Sequence, residues 1–275
     1  MQLYKDPRLL SESTVAIVGG TGRIGRALAR ILRNRFRRVL ICSRSVKRAK
    51  RVAGSLGIYG YSIDENWEAD IVIVSVPIEH TYQVCKDLIS KLQKGFLLVD
   101  LASVKEGIVN RLEKEIPERL EYVSLHPLFG GRIKNLKNKN FIVIPVKLGE
   151  KARAFLKFLE SEGANLVHST LEEHEKSMSI VQVLHHFSLL TFLMALGKLG
   201  GIDYLKESSL ETRSLEKTKK ILKMIKENFP TIVSIQKYSR FGEKVRKEFA
   251  MDAERIKDLD EKSLKKIYEI LSKIN

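Results

Sequence analysis

Gly19, Gly20, Gly22 and Gly25 follow an apolar run, Val15-Ala16-Ile17-Val18. The spacing Gly20-x-Gly22-x-x-Gly25 suits a loop that cradles a dinucleotide pyrophosphate, provided a strand precedes it and a helix follows. Gly20 is expected to permit the tight turn. Gly22 lets the backbone approach a pyrophosphate, and Gly25 lets the helix pack close on the strand. Thr21, Arg23 and Ile24 fill the remaining loop positions. The helix beyond them (Ala27, Leu28, Ile31, Leu32) aims its positive N-terminal end at the phosphate. A glycine-rich turn without function is the other reading.

The next informative group is Ser43-Arg44-Ser45, at the end of the apolar run RVLICS, with Lys47 and Arg48 close behind. A cofactor lacking a 2′-phosphate usually meets an Asp or Glu at this point. Here an arginine stands instead. It can pair bidentately with a 2′-phosphate and stack on adenine. NADP is therefore favoured over NAD. The alternative is a surface arginine on a protein that accepts either cofactor.

Three further side chains sit where strands should end. Ser103 can orient a substrate hydroxyl, or cap a helix. Lys105 offers a cation to a carboxylate, or is simply solvated. His126, fixed by Pro127, can serve as a general base beside a nicotinamide, or can be a turn histidine bonded to backbone. Ser75-Val76-Pro77 closes another apolar strand and is assigned to the cofactor side.

The elements that position these groups alternate. Apolar strands are expected at 14–18, 38–43, 69–76, 96–101, 122–125, 141–146 and 165–169, with helices at 47–56, 81–92 and 150–161 between some of them. That pattern is α/β: a Rossmann-like, doubly wound, mostly parallel sheet, whose ligands bind beyond the carboxyl ends of the strands. From residue 171 the pattern is helical throughout, with helices expected near 206–228, 231–258 and 261–274. The chain thus reads as a dinucleotide-binding domain over 1–170 and an all-helical substrate and dimerisation domain over 171–275.

Residues 177–197 contain no Lys, Arg, Asp or Glu. That length admits a membrane span, but Gln182, His185, His186, Ser188 and Thr191 interrupt it. A helix apolar all round is otherwise buried in a core or a subunit interface, and a core helix shared between protomers is expected. Polar groups within it need partners. His174, amid Glu172, Glu173 and Glu175, reads as an exposed first-turn residue. Arg213 can bind a carboxylate or pair with Glu211 or Glu216.

Composition sets the remaining limits. The 275 residues are 44% hydrophobic, ample for a packed core. Forty-nine Lys and Arg against 33 Asp and Glu leave a net charge of +16. These cations lie along helices beside Glu, without a basic tail or a nucleic-acid motif. They read as solvated surface with some attraction for anionic small molecules. Cys42 and Cys85 lack zinc spacing, and no metal site is expected. Reduced, cytoplasmic residence follows, with no membrane and no nucleic-acid partner. The first residues, MQLYKDPRLL, are too short and charged for a signal peptide.

Several separate stretches resemble one family. AIVGGTGRIGRALA, IVIVSVPIEHTYQV, LLVDLASVKEG, SLHPLFGG, EEHEKSMSIVQVLHHF, SSLETR and YSRFGE run in the order found in prephenate dehydrogenases. The chain is most similar to the dehydrogenase half of the enterobacterial chorismate mutase–prephenate dehydrogenases. The resemblance implies oxidative decarboxylation of prephenate to 4-hydroxyphenylpyruvate, in tyrosine biosynthesis. Arogenate is the nearest alternative substrate.

The resemblance also assigns residues. His126 takes the ring-hydroxyl proton, and Ser103 lies beside that hydroxyl and the nicotinamide. Lys105, Gln182 and His186 belong to the substrate pocket, and Arg213 matches a family arginine. A second family arginine that grips a substrate carboxylate falls in register at Ile221, so either Lys219, Lys220 or Arg213 substitutes or the substrate is held differently. A homodimer through the helical domain is implied, as is a chorismate mutase on a separate chain. Two more distant readings remain. GGTGRIG with SRSxxRA also resembles deazaflavin-dependent NADP reductases, and the charge admits a non-enzymatic nucleotide-binding regulator.

Overall fold

The structure is a computed structural model and describes residues 7–203 and 212–274. The chain divides into two compact units after His174.

The first unit is built on eight strands: β1 (Thr14–Val18), β2 (Arg38–Ser43), β3 (Tyr59–Ser62), β4 (Ile71–Val74), β5 (Leu97–Asp100), β6 (Glu121–Pro127), β7 (Asn140–Lys147) and β8 (Asn165–His168). They form one sheet in the order β3-β2-β1-β4-β5-β6-β7-β8. Every neighbouring pair is parallel except β6 and β7. The order reverses between β1 and β4, which opens a crevice at the carboxyl ends of those strands.

Strands β1, β4 and β5 are buried along their whole length, because helices cover both faces. Val15, Ile17, Ile71, Ile73 and Val99 face one core with α1 (Arg23–Leu32), α2 (Val46–Leu56) and α5 (Glu150–Ser161). Ala16, Val18, Val72, Val74 and Leu98 face the other with α3 (Ile78–Lys91) and α4 (Glu106–Glu115). Alternate residues therefore serve opposite cores, and both sets must be apolar.

Three elements depart from the sequence expectation. Strand β3 and helix α4 were not foreseen. Strand β6 runs on through His126 and Pro127, because the antiparallel neighbour keeps pairing with it, His126 to Ile142 and Pro127 to Phe141. His126 is thus a strand residue rather than one just past a strand.

The second unit is helical. A helix α6 (Leu171–Met178) straddles the division and continues as a π-helical turn (Ser179–Leu184) into α7 (His185–Lys198). Then follow α8 (Arg213–Tyr238), α9 (Gly242–Arg255) and α10 (Glu261–Leu271). Helix α8 runs through Pro230, where a break was expected, and ends instead at Ser239. Ile225, Ile232 and Ile235 are buried on both sides of that proline, and their packing outweighs one lost backbone hydrogen bond. Part of the helix expected near 206–228 lies outside the described residues.

Within the segment 177–197, expected as a core helix shared between protomers, Met178, Ser179 and Val183 are buried within the chain. Helix α7 carries no buried residue, with Met194 65% exposed and Leu199 at the following C-cap 84% exposed. Among the described residues, too few neighbouring helices of the unit cover it. The continuous helix Leu171–Lys198 is long and apolar enough to cross a membrane by length and composition.

Candidate active site

The glycine loop leaves β1 at the point where the sheet order reverses. Gly19 takes φ +81°, and a Cβ there would lie 2.3 Å from the Ser75 carbonyl oxygen. The left-handed turn therefore belongs to Gly19, one residue before the glycine expected to carry it. Gly19 N–H donates to the Cys42 carbonyl at 2.9 Å, and Ser75 N–H donates to the Val18 carbonyl at 2.8 Å. These bonds tie the loop to the ends of β2 and β4. A Cβ on Gly25 would meet Gly19 O and Gly20 Cα at 2.8 Å, so α1 starts hard against the loop. Its N-cap, Gly22, brings no side chain to the first-turn N–H groups. That leaves an electropositive helix end of the kind that holds a pyrophosphate.

At the end of β2, Ser43 is half-buried and Arg44 exposed. Ser45 is the N-cap of α2 and accepts from Arg48 N–H at 3.3 Å. Ser43 pairs with Ser62 on β3, so the unforeseen edge strand carries Asp64 and Glu65 to the same edge of the sheet. Glu65 accepts from Ser62 N–H at 2.6 Å. Val76 and Pro77 follow Ser75, Pro77 as the N-cap of α3. Nearby, burial pushes the Cys42 thiol up to about 12, which keeps it an inert core residue.

The ends of β5 and β6 carry a buried network. Asp100, the last residue of β5, accepts from Lys105 Nζ at 2.7 Å, Tyr122 OH at 2.8 Å and Ala102 N–H at 3.0 Å. Lys105 Nζ also donates to the Leu125 carbonyl at 2.8 Å. Neither side chain of the ion pair has any exposed surface. Burial and the adjacent Asp100 hold the Tyr122 hydroxyl well above its usual range. Lys105 is thus not the solvated cation of the alternative reading. It ties the Ser103 loop to β5 and β6, because a buried ammonium must find oxygens.

His126, in β6, is 2% exposed, and its Nδ1 lies 3.0 Å from Nε2 of His174. Burial, then His174 and then Lys105, hold the His126 imidazole well below its ordinary 6.5. At neutral pH it is uncharged and ready to accept a proton. The chain beyond it comes back to the nucleotide loop. A Cβ on Gly131 would lie 2.5 Å from the Arg23 carbonyl oxygen, at the first residue of α1. The histidine strand and the phosphate-binding helix are therefore joined by direct backbone contact.

A family model described as prephenate dehydrogenase, nucleotide-binding domain, matches residues 28–168, just over half of the chain. The chain belongs to the prephenate/arogenate dehydrogenase family. It is 33% identical over 200 residues to a probable arogenate/prephenate dehydrogenase of Methanocaldococcus jannaschii, covering 71% of this chain and 44% of that protein. It is 30% identical over 177 residues to the T-protein of Haemophilus influenzae, covering 63% and 42%. The match thus spans less than half the length of these relatives. The fold resembles a crystal structure of prephenate dehydrogenase from A. aeolicus in complex with hydroxyphenyl propionate and NAD+, with TM-score 0.74 and 20% identity over 96% of this chain and 98% of that one.

Within this family fold, Lys105 bears on His126 at the carboxyl ends of β5 and β6, and Ser103 lies in the loop between β5 and α4. The other assigned residues lie in the second unit. Gln182 is half-buried in the π-helical turn, a distortion often found at functional sites. His186 is half-buried on α7, and burial followed by neighbouring His185 lowers its pKa. Arg213 is the exposed first residue of α8, and Ser208–Glu211 of its motif lie outside the described residues. Lys220 is exposed and pairs with Glu216 at 2.6 Å.

The sequence reading missed Asp100 and Tyr122, and it misread His174. That histidine is 1% exposed rather than solvated, because its partner across the fold draws it inward. Its place in the EHEKSM stretch was the available signal. Among the described residues, no cluster of His, Cys, Asp or Glu could hold a metal ion.

Proposed function

We propose that this chain is an NAD(P)-dependent prephenate dehydrogenase of tyrosine biosynthesis, converting prephenate to 4-hydroxyphenylpyruvate. The observation that carries this reading is the buried, neutral His126, joined through its own strand and Gly131 to the nucleotide-binding helix. The residues around the glycine loop fit a dinucleotide: an uncapped helix end, a turn against Ser75, and an open ledge at Ser43 and Arg44.

The bound nicotinamide supplies the hydride acceptor. Nε2 of His126 takes the substrate ring-hydroxyl proton as carbonyl character develops at that carbon. The hydride leaves the same carbon. The ring carboxylate departs as carbon dioxide, and its electron pair makes the ring aromatic. His126 then returns its proton to the phenolate oxygen, so no net proton is exchanged. Ser103 orients the hydroxyl, and Lys105 holds the Ser103 loop. Gln182, His186, Arg213 and Lys220 are assigned to the remainder of the dianionic substrate, with lysine a looser, point-charge grip than arginine.

NADP is the favoured cofactor, on the strength of Arg44. Asp64 and Glu65 on the same edge are the groups that oppose it. Two copies are proposed to cover each other's exposed α7 surface, in the cytoplasm.

Cofactor reduction followed at 340 nm, with prephenate or arogenate and NAD or NADP, tests the whole reading. Turnover of prephenate with NADP preferred is the expected result. Turnover of arogenate alone changes the substrate but keeps the roles. No turnover of either removes the reading.

A further inference from the structure

We infer that His174 is the positioning residue for His126, accepting its Nδ1–H and so fixing the tautomer in which Nε2 of His126 is the proton acceptor. This inference rests on the proposed reaction for its kinetic consequence, but not for its geometry.

Two buried ring nitrogens 3.0 Å apart must share one hydrogen, so one ring donates and the other accepts. Base chemistry at Nε2 of His126 requires the proton on its Nδ1. His174 Nε2 must then be the acceptor, which places the proton of His174 on its own Nδ1. The two rings meet edge to face, with centroids 5.2 Å apart and planes at 62°.

A histidine in this place differs from the carboxylate that commonly orients a catalytic imidazole. A carboxylate would stabilise imidazolium and raise the pKa of the base. An imidazole orients the ring without bringing a negative charge to it. Two charged groups at the neighbouring strand end belong to the same buried network. Lys105, before α4, opposes a second positive charge. Asp100, on β5, is engaged with Lys105 and Tyr122. From β7 the register partner is Ile142, which does not titrate. His126 is therefore kept uncharged well into the acid range while its orientation is fixed.

The test combines ring-nitrogen NMR on histidine-labelled protein with pH profiles of His174→Leu, His174→Gln and His174→Glu. In the wild type the Nδ1–H tautomer of His126 is expected. In His174→Leu it is lost, and kcat falls about ten- to a hundredfold with cofactor KM unchanged. His174→Gln, which keeps an acceptor, recovers most of kcat. His174→Glu recovers kcat and moves the acid limb of kcat/KM upward by about one pH unit or more. An Nε2–H tautomer in the wild type overturns the inference. So does an unaltered profile in both the Leu and Glu variants. If His174→Leu does not fold, the wild-type tautomer and the Glu profile still decide. If the wild type turns over neither prephenate nor arogenate, the proposed reaction fails, and the tautomer measurement alone judges His174.

Discussion

Lys105 and Asp100, five residues apart, form an ion pair of 2.7 Å that has no exposed surface on either side chain. The pair closes the loop that carries Ser103. Removing one partner leaves a buried charge uncompensated. Lys105→Met is expected to cost about 3–5 kcal/mol of stability. Denaturant unfolding measures it. The double variant Lys105→Met with Asp100→Asn should recover part of the loss, and an additive loss would show that the two do not act as a pair.

His126→Asn removes the proposed base without changing the strand. The maximal rate is expected to drop about 10²–10⁴-fold, with cofactor affinity nearly unchanged. Steady-state kinetics and a cofactor titration separate the two quantities. An unchanged rate would take His126 out of the reaction.

The depressed pKa of His126 has a pH signature of its own. The proposed base acts when neutral, so kcat/KM should stay level from alkaline pH through 6.5. It should fall only at the lower pH where the folded imidazole protonates. Stability moves in the same sense. Above the ordinary 6.5 the histidine is neutral in both folded and unfolded chains and adds no pH dependence. As pH falls from there toward the folded value, the unfolded chain binds a proton that the folded chain refuses, and stability is lost. Thermal melts from pH 8 to about 5 check this window.

Gly131→Ala places a methyl group 2.5 Å from the Arg23 carbonyl. The backbone there must move and carry the start of α1 with it. Cofactor Kd is expected to rise about tenfold, together with a loss of about 1–3 kcal/mol in stability. Fluorescence titration and a melt measure both. Gly54→Ala, with nothing near its added Cβ, serves as the control.

Arg44→Asp replaces the proposed 2′-phosphate partner with a carboxylate. The ratio of kcat/KM for NADP over NAD should fall at least about tenfold, as expected for loss of a charge-assisted hydrogen bond. An unmoved ratio would assign cofactor choice to another part of the edge.

Met194→Asp puts a charge on the exposed apolar face of α7. If a second copy covers that face, light scattering should show the dimer of the parent chain replaced by monomer. A parent chain that is already monomeric removes the dimer proposal.

The glycine loop and the strand bounds of β2 were readable because fully buried parallel strands are continuous apolar runs punctuated by glycine. Strand β3 was not, since YGYS has neither apolar alternation nor length. It pairs at the sheet edge because Gly60 lets it approach α2, where a Cβ would lie 2.6 Å from Lys50 N. The site was half legible. Ser103, Lys105 and His126 stood out as polar groups at strand ends. Asp100 looked like one more strand residue, and His174 looked solvated among three glutamates. Their roles are set by partners 22 and 48 residues away, Tyr122 and His126, and local pattern does not reach that far.

The antiparallel register of β6 and β7 extends past His126 to Pro127, and Leu128 N–H still donates to Asn140. His126 therefore sits within the cross-linked fabric of the sheet rather than on a flap. Its backbone opens only when that edge of the sheet opens, so its amide neighbours should exchange with solvent about as slowly as the whole unit unfolds. With His126 as the proposed proton acceptor, substrate entry and product departure are then accommodated by other segments, while the acceptor stays still.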